Sequence, residues 1–386
     1  MRSWTIFLLL ALSLNTSCNY FRNVNLLTSG RVTEKEFSYT FPFRYERGLI
    51  IVTADFGGRQ ADFIFDSGAF DCKLEASLAG SLGYPVRATK DSYDSQGNER
   101  IIEVVQMDSL YLGPLEFEHI SAGKLHWDSL SASPCLASGG IIGANLIKLA
   151  NWKIDYRAQQ IHVSSEPFAA PEGSITLPFK HPLLSGTPEV DLTVGGRELG
   201  PILIDLGSNG SLRLPYSIHE AFSEYQGVTY ADRSNSGIYG VQADTVVSRK
   251  IPLDLGDGPH EQWIHFEGSG SGLLGNEVLE NYTLILNYRG NEAILQPYPD
   301  ATFAAHPPLT FIPGVADAQT WQVNRALLGG PLALGDTFPT LNGETPDQRY
   351  PEYCHYFLNI GQDFLQDSVR ITLTNGESLS LWPYAE

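Results

Sequence analysis

Two short stretches hold residues whose types and spacing could do chemistry. Phe63-Ile64-Phe65-Asp66-Ser67-Gly68 and Ile202-Leu203-Ile204-Asp205-Leu206-Gly207 each run three apolar residues into an aspartate, with a glycine two positions later. The apolar run reads as a strand that carries the carboxylate to the edge of a core. Glycine there permits the tight turn that brings backbone N–H groups towards it. One such motif is weak evidence, because strand–Asp–turn is common. Two related copies can bring two carboxylates face to face. Like charges a few ångströms apart do not both ionise easily, so such a pair holds one proton between its members. The ionised member can take a proton from a bridging water while the protonated member polarises a peptide carbonyl. That chemistry hydrolyses an amide without metal, serine or cysteine nucleophile, and its two apparent pKa values belong to the pair.

The elements that must position these aspartates recur in order. Pro42-Phe43-Arg44 and Gly57-Gly58-Arg59 precede the first motif; Pro178-Phe179-Lys180 and Gly195-Gly196-Arg197 precede the second. Ile141-Ile142-Gly143 and Leu273-Leu274-Gly275 follow, and thirteen positions beyond each final glycine stands a tyrosine, Tyr156 or Tyr288. So many anchors in one order mark an internal repeat. The chain divides into lobe one over 36–165 and lobe two over 172–300, joined by the Pro-rich stretch Ser164–Ser174. Each lobe reads as mostly β, with runs at Leu49–Phe56, Asp62–Phe65, Glu103–Leu112 and Ile202–Ile204 between Gly, Pro, Asn and Asp punctuation. Helical signal is sparse; Glu75–Leu82 and Ser217–Tyr225 follow the two aspartates at similar distances. Beyond Pro297-Tyr298-Pro299 the repeat stops and a third module spans 305–386. Within it, Asn375-Gly376 between Ser368–Leu373 and Ser378–Leu381 signals a hairpin.

Composition bounds the function. Hydrophobic residues at 42% allow a substantial core across 386 residues, and 25 Lys+Arg against 44 Asp+Glu leave a formal charge of −19. A polyanion with no basic stripe is not a nucleic-acid binder. At the N-terminus, Arg2 precedes the apolar run Trp4–Leu14, too short to span a bilayer and suited to a signal peptide over 1–18. Its end, Leu14-Asn15-Thr16-Ser17-Cys18, resembles a bacterial lipoprotein signal, which implies lipidation at Cys18. The protein is therefore expected to be exported to the cell envelope, touching membrane only through that anchor. Gly270-Ser271-Gly272-Leu273-Leu274-Gly275 matches a dinucleotide-binding pattern. However, no βαβ alternation surrounds it, and the repeat aligns Gly275 with Gly143. His260, Glu261 and His265 lack metal-ligand spacing, and there is no G-x-S-x-G. No cofactor or metal is expected.

Together these motifs resemble the retropepsin-like aspartic peptidases, in particular bacterial members with two lobes in one chain and a C-terminal PDZ-like domain. Phe63 to Ala69 matches the family's apolar-Asp-Thr/Ser-Gly-Ala. Ile141-Ile142-Gly143 and Leu273-Leu274-Gly275 match the element that crosses beneath its catalytic loops. Gly335-Asp336 followed by Leu341-Asn342-Gly343 looks like a PDZ core pattern. The resemblance covers about residues 36–300. It implies an all-β fold of two tandem retropepsin-like (acid protease) β-barrel lobes plus a small PDZ-like domain. It also implies a catalytic dyad of Asp66 and Asp205, supported by Ser67, Gly68, Gly207 and Ser208. Flap tips would fall at Tyr93–Arg100, including Tyr93 and Gly97, and at Ser236–Gly240, including Tyr239 and Gly240.

Ser208 stands where pepsin-type lobes place a hydroxyl against the carboxylate, whereas lobe one has Ala69 there, so Asp205 is expected to ionise more readily. Leu206 departs from the family by replacing a hydroxyl that bridges the lobes. In this fold the segments holding Cys72 and Cys135 run side by side, so a Cys72–Cys135 disulfide is expected, leaving Cys354 over. The implied function is an aspartic endopeptidase acting on envelope peptides or proteins, monomeric because both aspartates lie in one chain. The alternative is an inactive peptide-binding protein that uses the interlobe cleft or the PDZ-like module.

Overall fold

The strands Leu49–Asp55 and Gln60–Phe65 pair antiparallel across the turn at Gly57-Gly58, with Val52 opposite Phe63 and Ile51 opposite Ile64. Both turn glycines hold positive φ, 75° and 97°, a conformation that side chains oppose. Alternation sends Val52, Phe63 and Phe65 into the main core, while Ile51 and Ile64 face a separate apolar cluster on the other side. The short strand Gly140–Ile142 lies parallel to Gln60–Phe65, with Ile142 opposite Phe65. Lobe two repeats this: Gly272–Leu274 lies parallel to Arg197–Ile204, with Leu274 opposite Ile204. In each copy the following glycine, Gly143 or Gly275, opens a one-turn helix, Ala144–Ile147 or Asn276–Leu279. The repeat in the sequence is a repeat of structure.

This computed structural model describes residues 20–127, 132–303, 305–363 and 368–384. The signal segment and Cys18 lie outside them. The fold is all-β in class, with retropepsin-like β-barrel lobes. A six-stranded sheet joins the lobes, in which Asn151–Asp155 pairs with Tyr282–Asn287 and Trp152 sits opposite Leu286. Trp152, Ile154, Leu284 and Leu286 are fully buried there, and one continuous core runs through both lobes. Glu75 caps the helix Ala76–Ser81 by accepting the N–H groups of Ser77 and Leu78, and a 3-10 helix spans Tyr216–Phe222. Both lie where the sequence points.

The C-terminal module is not a detached appendage. Its first hairpin, Phe311–Asp317 with Thr320–Leu327, continues lobe two's sheet, because Thr320–Leu327 pairs antiparallel with Gly227–Asp232. The inner face of that hairpin and the rest of the module share a separate core around Trp321, Phe338, Leu341 and Ile371. The hairpin read from Asn375-Gly376 joins Val369–Thr372 to Ser378–Leu381, with Thr372 opposite Ser378.

The expected Cys72–Cys135 disulfide is replaced by another. Cys135 bonds Cys354, with S–S 2.05 Å and Cα–Cα 5.3 Å, while Cys72 is a free buried thiol. The neighbouring segments do run side by side, since Cys72–Glu75 pairs with Gly140–Ile142. The Cys72 side chain, however, is buried in the core and its sulfur accepts the Gly143 N–H at 3.3 Å. Cys135, at the end of the 3-10 helix Ser133–Cys135, instead meets the helix Tyr353–Asp363 of the C-terminal module.

Candidate active site

Each aspartate is held first by its backbone. Asp66 N–H donates to Ile142 O and Asp205 N–H donates to Leu274 O, both at 2.9 Å, so the short parallel strands fix the two turns identically. The turns then fold back on their own carboxylates: Ala69 N–H donates to Asp66 Oδ1 at 2.8 Å, and Gly207 N–H to Asp205 Oδ1 at 2.9 Å. The two turns pack crosswise. A Cβ added to Gly68 would lie 2.5 Å from Asp205 Cγ, and one added to Gly207 would overlap the Asp66 carboxylate. Glycine at both positions lets the carboxyl groups come within hydrogen-bonding reach of each other.

Enclosure raises both carboxyls above the ordinary carboxylate range, and the facing charge of Asp205 pushes Asp66 up further. Asp205 stays the lower of the two because it accepts a hydrogen bond from Asp66, accepts the Gly207 N–H and feels the Arg213 charge. These contacts favour the ionised form at Asp205 and leave the shared proton towards Asp66. The sequence places the cause of readier ionisation at Ser208. Among the described residues no hydrogen bond joins Ser208 Oγ to Asp205, and that hydroxyl lies beside Gly275 instead.

Of the two positions after the aspartates, Ser67 alone supplies a hydroxyl that bridges the turns. Its Oγ donates to Ile204 O at 2.6 Å and accepts the Leu206 N–H at 3.1 Å, all of it buried. Leu206 returns no such bond; it is fully buried in the continuous core, and its carbonyl accepts Asn276 Nδ2 at 2.8 Å. Replacing Ser67 with Ala leaves a buried carbonyl and a buried N–H unpaired, each worth about 1–3 kcal/mol. Ser67→Ala is therefore expected to lower unfolding free energy by about 2–4 kcal/mol in urea titration. An unchanged midpoint would show that the bridge contributes nothing.

The two hairpins read as flap tips meet over the site. Val86–Tyr93 pairs with Glu99–Leu112 around a turn containing Gly97 (φ 80°), and Ser236–Gly237 pairs with Gly240–Val241. Tyr239 N–H donates to Asp94 Oδ2 at 3.0 Å, Arg100 Nη2 donates to Tyr239 O at 2.9 Å, and Tyr239 Oη donates to Ser92 Oγ at 2.7 Å. Gln242 Nε2 donates to Asn98 Oδ1 at 2.6 Å across the same junction. Tyr239 is buried in this interlock, Gly240 holds φ 131°, and Tyr93 is an exposed rim residue bonded to Glu99. Beneath lies a cavity of about 1170 Å³ that both aspartates line.

Several walls of that cavity escaped the sequence reading. Val24 and Leu27 of the helix at 20–28 line it, as do Phe357 and Arg325 from the C-terminal module. Arg325 pairs with Asp232 at 2.5 Å, and Phe357 packs on the apolar cluster of Ile51, Ile64 and Ile141 beside Asp66. Asp71, Lys73 and Lys90 form a buried ionic cluster in the same wall. The available signal for the last was the charged pair Asp71 and Lys73 bracketing Cys72 just past the Asp66 turn. Among the described residues no three His, Cys, Asp or Glu side chains gather as metal ligands.

Comparison with curated proteins finds no match. The family model for aspartyl proteases matches residues 52–146, from the strand Leu49–Asp55 to the one-turn helix beyond Ile141-Ile142-Gly143. Residues 52–146 are therefore an aspartyl protease domain by that match, and the Asp66 turn lies within them.

Proposed function

We propose that the chain is an aspartic endopeptidase whose second catalytic aspartate, Asp205, comes from lobe two of the same chain. The observation that carries this reading is the crosswise packing of the two Asp turns, each carboxylate against the other's glycine. Asp205 takes a proton from a water held between the carboxyls, and the resulting hydroxide adds to the peptide carbonyl carbon. Asp66 donates its proton to the carbonyl oxygen, giving a neutral tetrahedral diol. On collapse the C–N bond breaks, Asp205 passes its proton to the leaving nitrogen, and Asp66 recovers one from the diol hydroxyl. The inactive-binder reading would gain from splayed aspartates or from a cleft filled by Leu206. Leu206 faces the core, and the carboxyls lie in mutual reach.

The same proposal takes in an exported, monomeric protein anchored at Cys18 and acting on envelope peptides or proteins. It also takes in a PDZ-like character for 305–386, resting on Gly335-Asp336 and Leu341-Asn342-Gly343. The test is the pH–rate profile on a cleavable peptide. The acid limb follows Asp205, which must be ionised, and the alkaline limb follows Asp66, which must keep its proton. Both limbs are expected above the ordinary carboxylate value of about 3.9. A rate flat from about pH 4 to pH 8, or rising past neutrality, would contradict the dyad.

A further inference from the structure

Behind the first flap, three charged side chains are buried together in the cavity wall. Asp71 Oδ1 meets Lys73 Nζ at 2.5 Å and Asp71 Oδ2 meets Lys90 Nζ at 2.7 Å, with side-chain exposures of 1%, 7% and 16% for Asp71, Lys73 and Lys90. Lys73 leaves the Asp66 turn on the strand Cys72–Glu75, and Lys90 lies on the first flap strand, Val86–Tyr93. Asp71 and Lys73 already neutralise each other. Lys90 is a second cation on the same carboxylate, so the cluster keeps a surplus positive charge. A buried charge without a counter-charge is costly, and a structural anchor between flap and turn would need only one lysine.

The surroundings do not absorb that surplus. The Cys72 thiol is pushed up to about 12 by burial and stays neutral. Tyr239, which also faces Lys73, is raised by burial and stays neutral. Lys90 Nζ sits 5.3 Å from the centre of the Phe70 ring, which supplies a π face but no charge. Asp71 is the only carboxylate paired with either lysine among the described residues. Lys73 donates one hydrogen bond to Asp71 Oδ1 and Lys90 makes an ion-pair contact with Oδ2, so of the three N–H donors on each ammonium some remain for a ligand. Asp71, Lys73, Lys90 and Phe70 all line the cavity that holds the dyad. Asp71 follows Asp66 by five residues, which extended chain can carry at most about 17 Å.

We propose that Lys90, backed by Lys73 and Asp71, is a carboxylate-binding subsite, and that the substrate is a peptide presenting a carboxylate a few residues from the scissile bond. This rests on the peptidase reading and names its substrate class. The carboxylate has two possible sources, an Asp or Glu side chain or the peptide's own C-terminus.

The test uses fluorescein-labelled octapeptides of an Ala/Leu scaffold, with Glu or Gln stepped through each position and the C-terminus free or amidated. Binding to the full chain carrying Asp66→Asn is followed by anisotropy. The expected result is about tenfold tighter binding of one Glu member than its Gln twin, or of free over amidated ends, matching a charge-assisted bond. In Asp66→Asn/Lys90→Met the ratio falls to about one; Lys90→Gln does the same should the methionine variant not fold. Equal affinities, no binding by any member, or a preference that survives loss of Lys90 overturns the subsite. Wild-type cleavage of the Gln members judges the peptidase reading separately.

Discussion

Asp66→Asn is expected to cut peptide turnover by about 10³-fold or more while raising the melting temperature at neutral pH. The activity loss follows because asparagine cannot give a proton to the carbonyl oxygen. The stability gain follows from linkage. The folded-state pKa of Asp66 is raised by burial and by the charge of Asp205, so folding takes up protons at this site. That contribution is fully present below the ordinary value of about 3.9 and is lost as pH rises through the raised folded value. Asparagine has no proton to lose and retains an oxygen for the Ala69 N–H. The melting difference between variant and wild type should therefore grow from about pH 4 to pH 7, as measured by calorimetry. A variant less stable than wild type at every pH would contradict this, as would one of undiminished activity.

Cys354→Ser is the second large effect. The Cys135–Cys354 bond closes a sequence separation of 219, for which the chain-entropy relation gives a stabilisation of about 5 kcal/mol and usual experience somewhat less. Either single serine variant and the double variant should lose a similar amount, a few kcal/mol, in denaturant titration. Release should also change specificity, because Phe357 packs on Ile51, Ile64 and Ile141 beside the dyad and lines the cavity. With that helix freed, larger apolar side chains should be accepted in lobe one's half of the cleft. Mapping thiols on the native protein after reductant should find Cys135 and Cys354 labelled. Cys72 should stay dark, buried and with its thiol pushed up to about 12. Finding Cys72 in a disulfide would refute the pairing.

What the sequence displayed was local and repeated. The strand–Asp–turn units, the apolar-apolar-Gly elements and the flap hairpin at Tyr93–Arg100 each occupy a few contiguous residues, so alternation and turn chemistry expose them. The repeat then supplied the one long-range fact needed, that Asp66 and Asp205 are counterparts. Other features depended on which way a side chain turns. Cys72 and Cys135 do lie on neighbouring segments, yet the Cys72 sulfur is committed to the core. Leu206 read as a missing hydroxyl, whereas in the fold it is a core residue and Ser67 makes the bridge alone. Ser208 Oγ lies beside Gly275 and makes no bond to the Asp205 carboxylate among the described residues. Phe357 and Arg325 carry no local mark at all, because their positions depend on how the C-terminal module docks: one through a disulfide to lobe one, the other through a strand added to lobe two.

Asp205 lies outside residues 52–146, so the family match bears on Asp66 alone. The most direct measurement is therefore mass-spectrometric cleavage of a diverse peptide library by the full chain and by Asp205→Asn, from about pH 4 to pH 7. Cleavage by the wild type that disappears in Asp205→Asn is the predicted result, and it makes the site a dyad assembled from both lobes of one chain. Cleavage that survives Asp205→Asn would contradict it and point to a second copy of the Asp66 turn, while silence from both proteins would contradict catalysis itself.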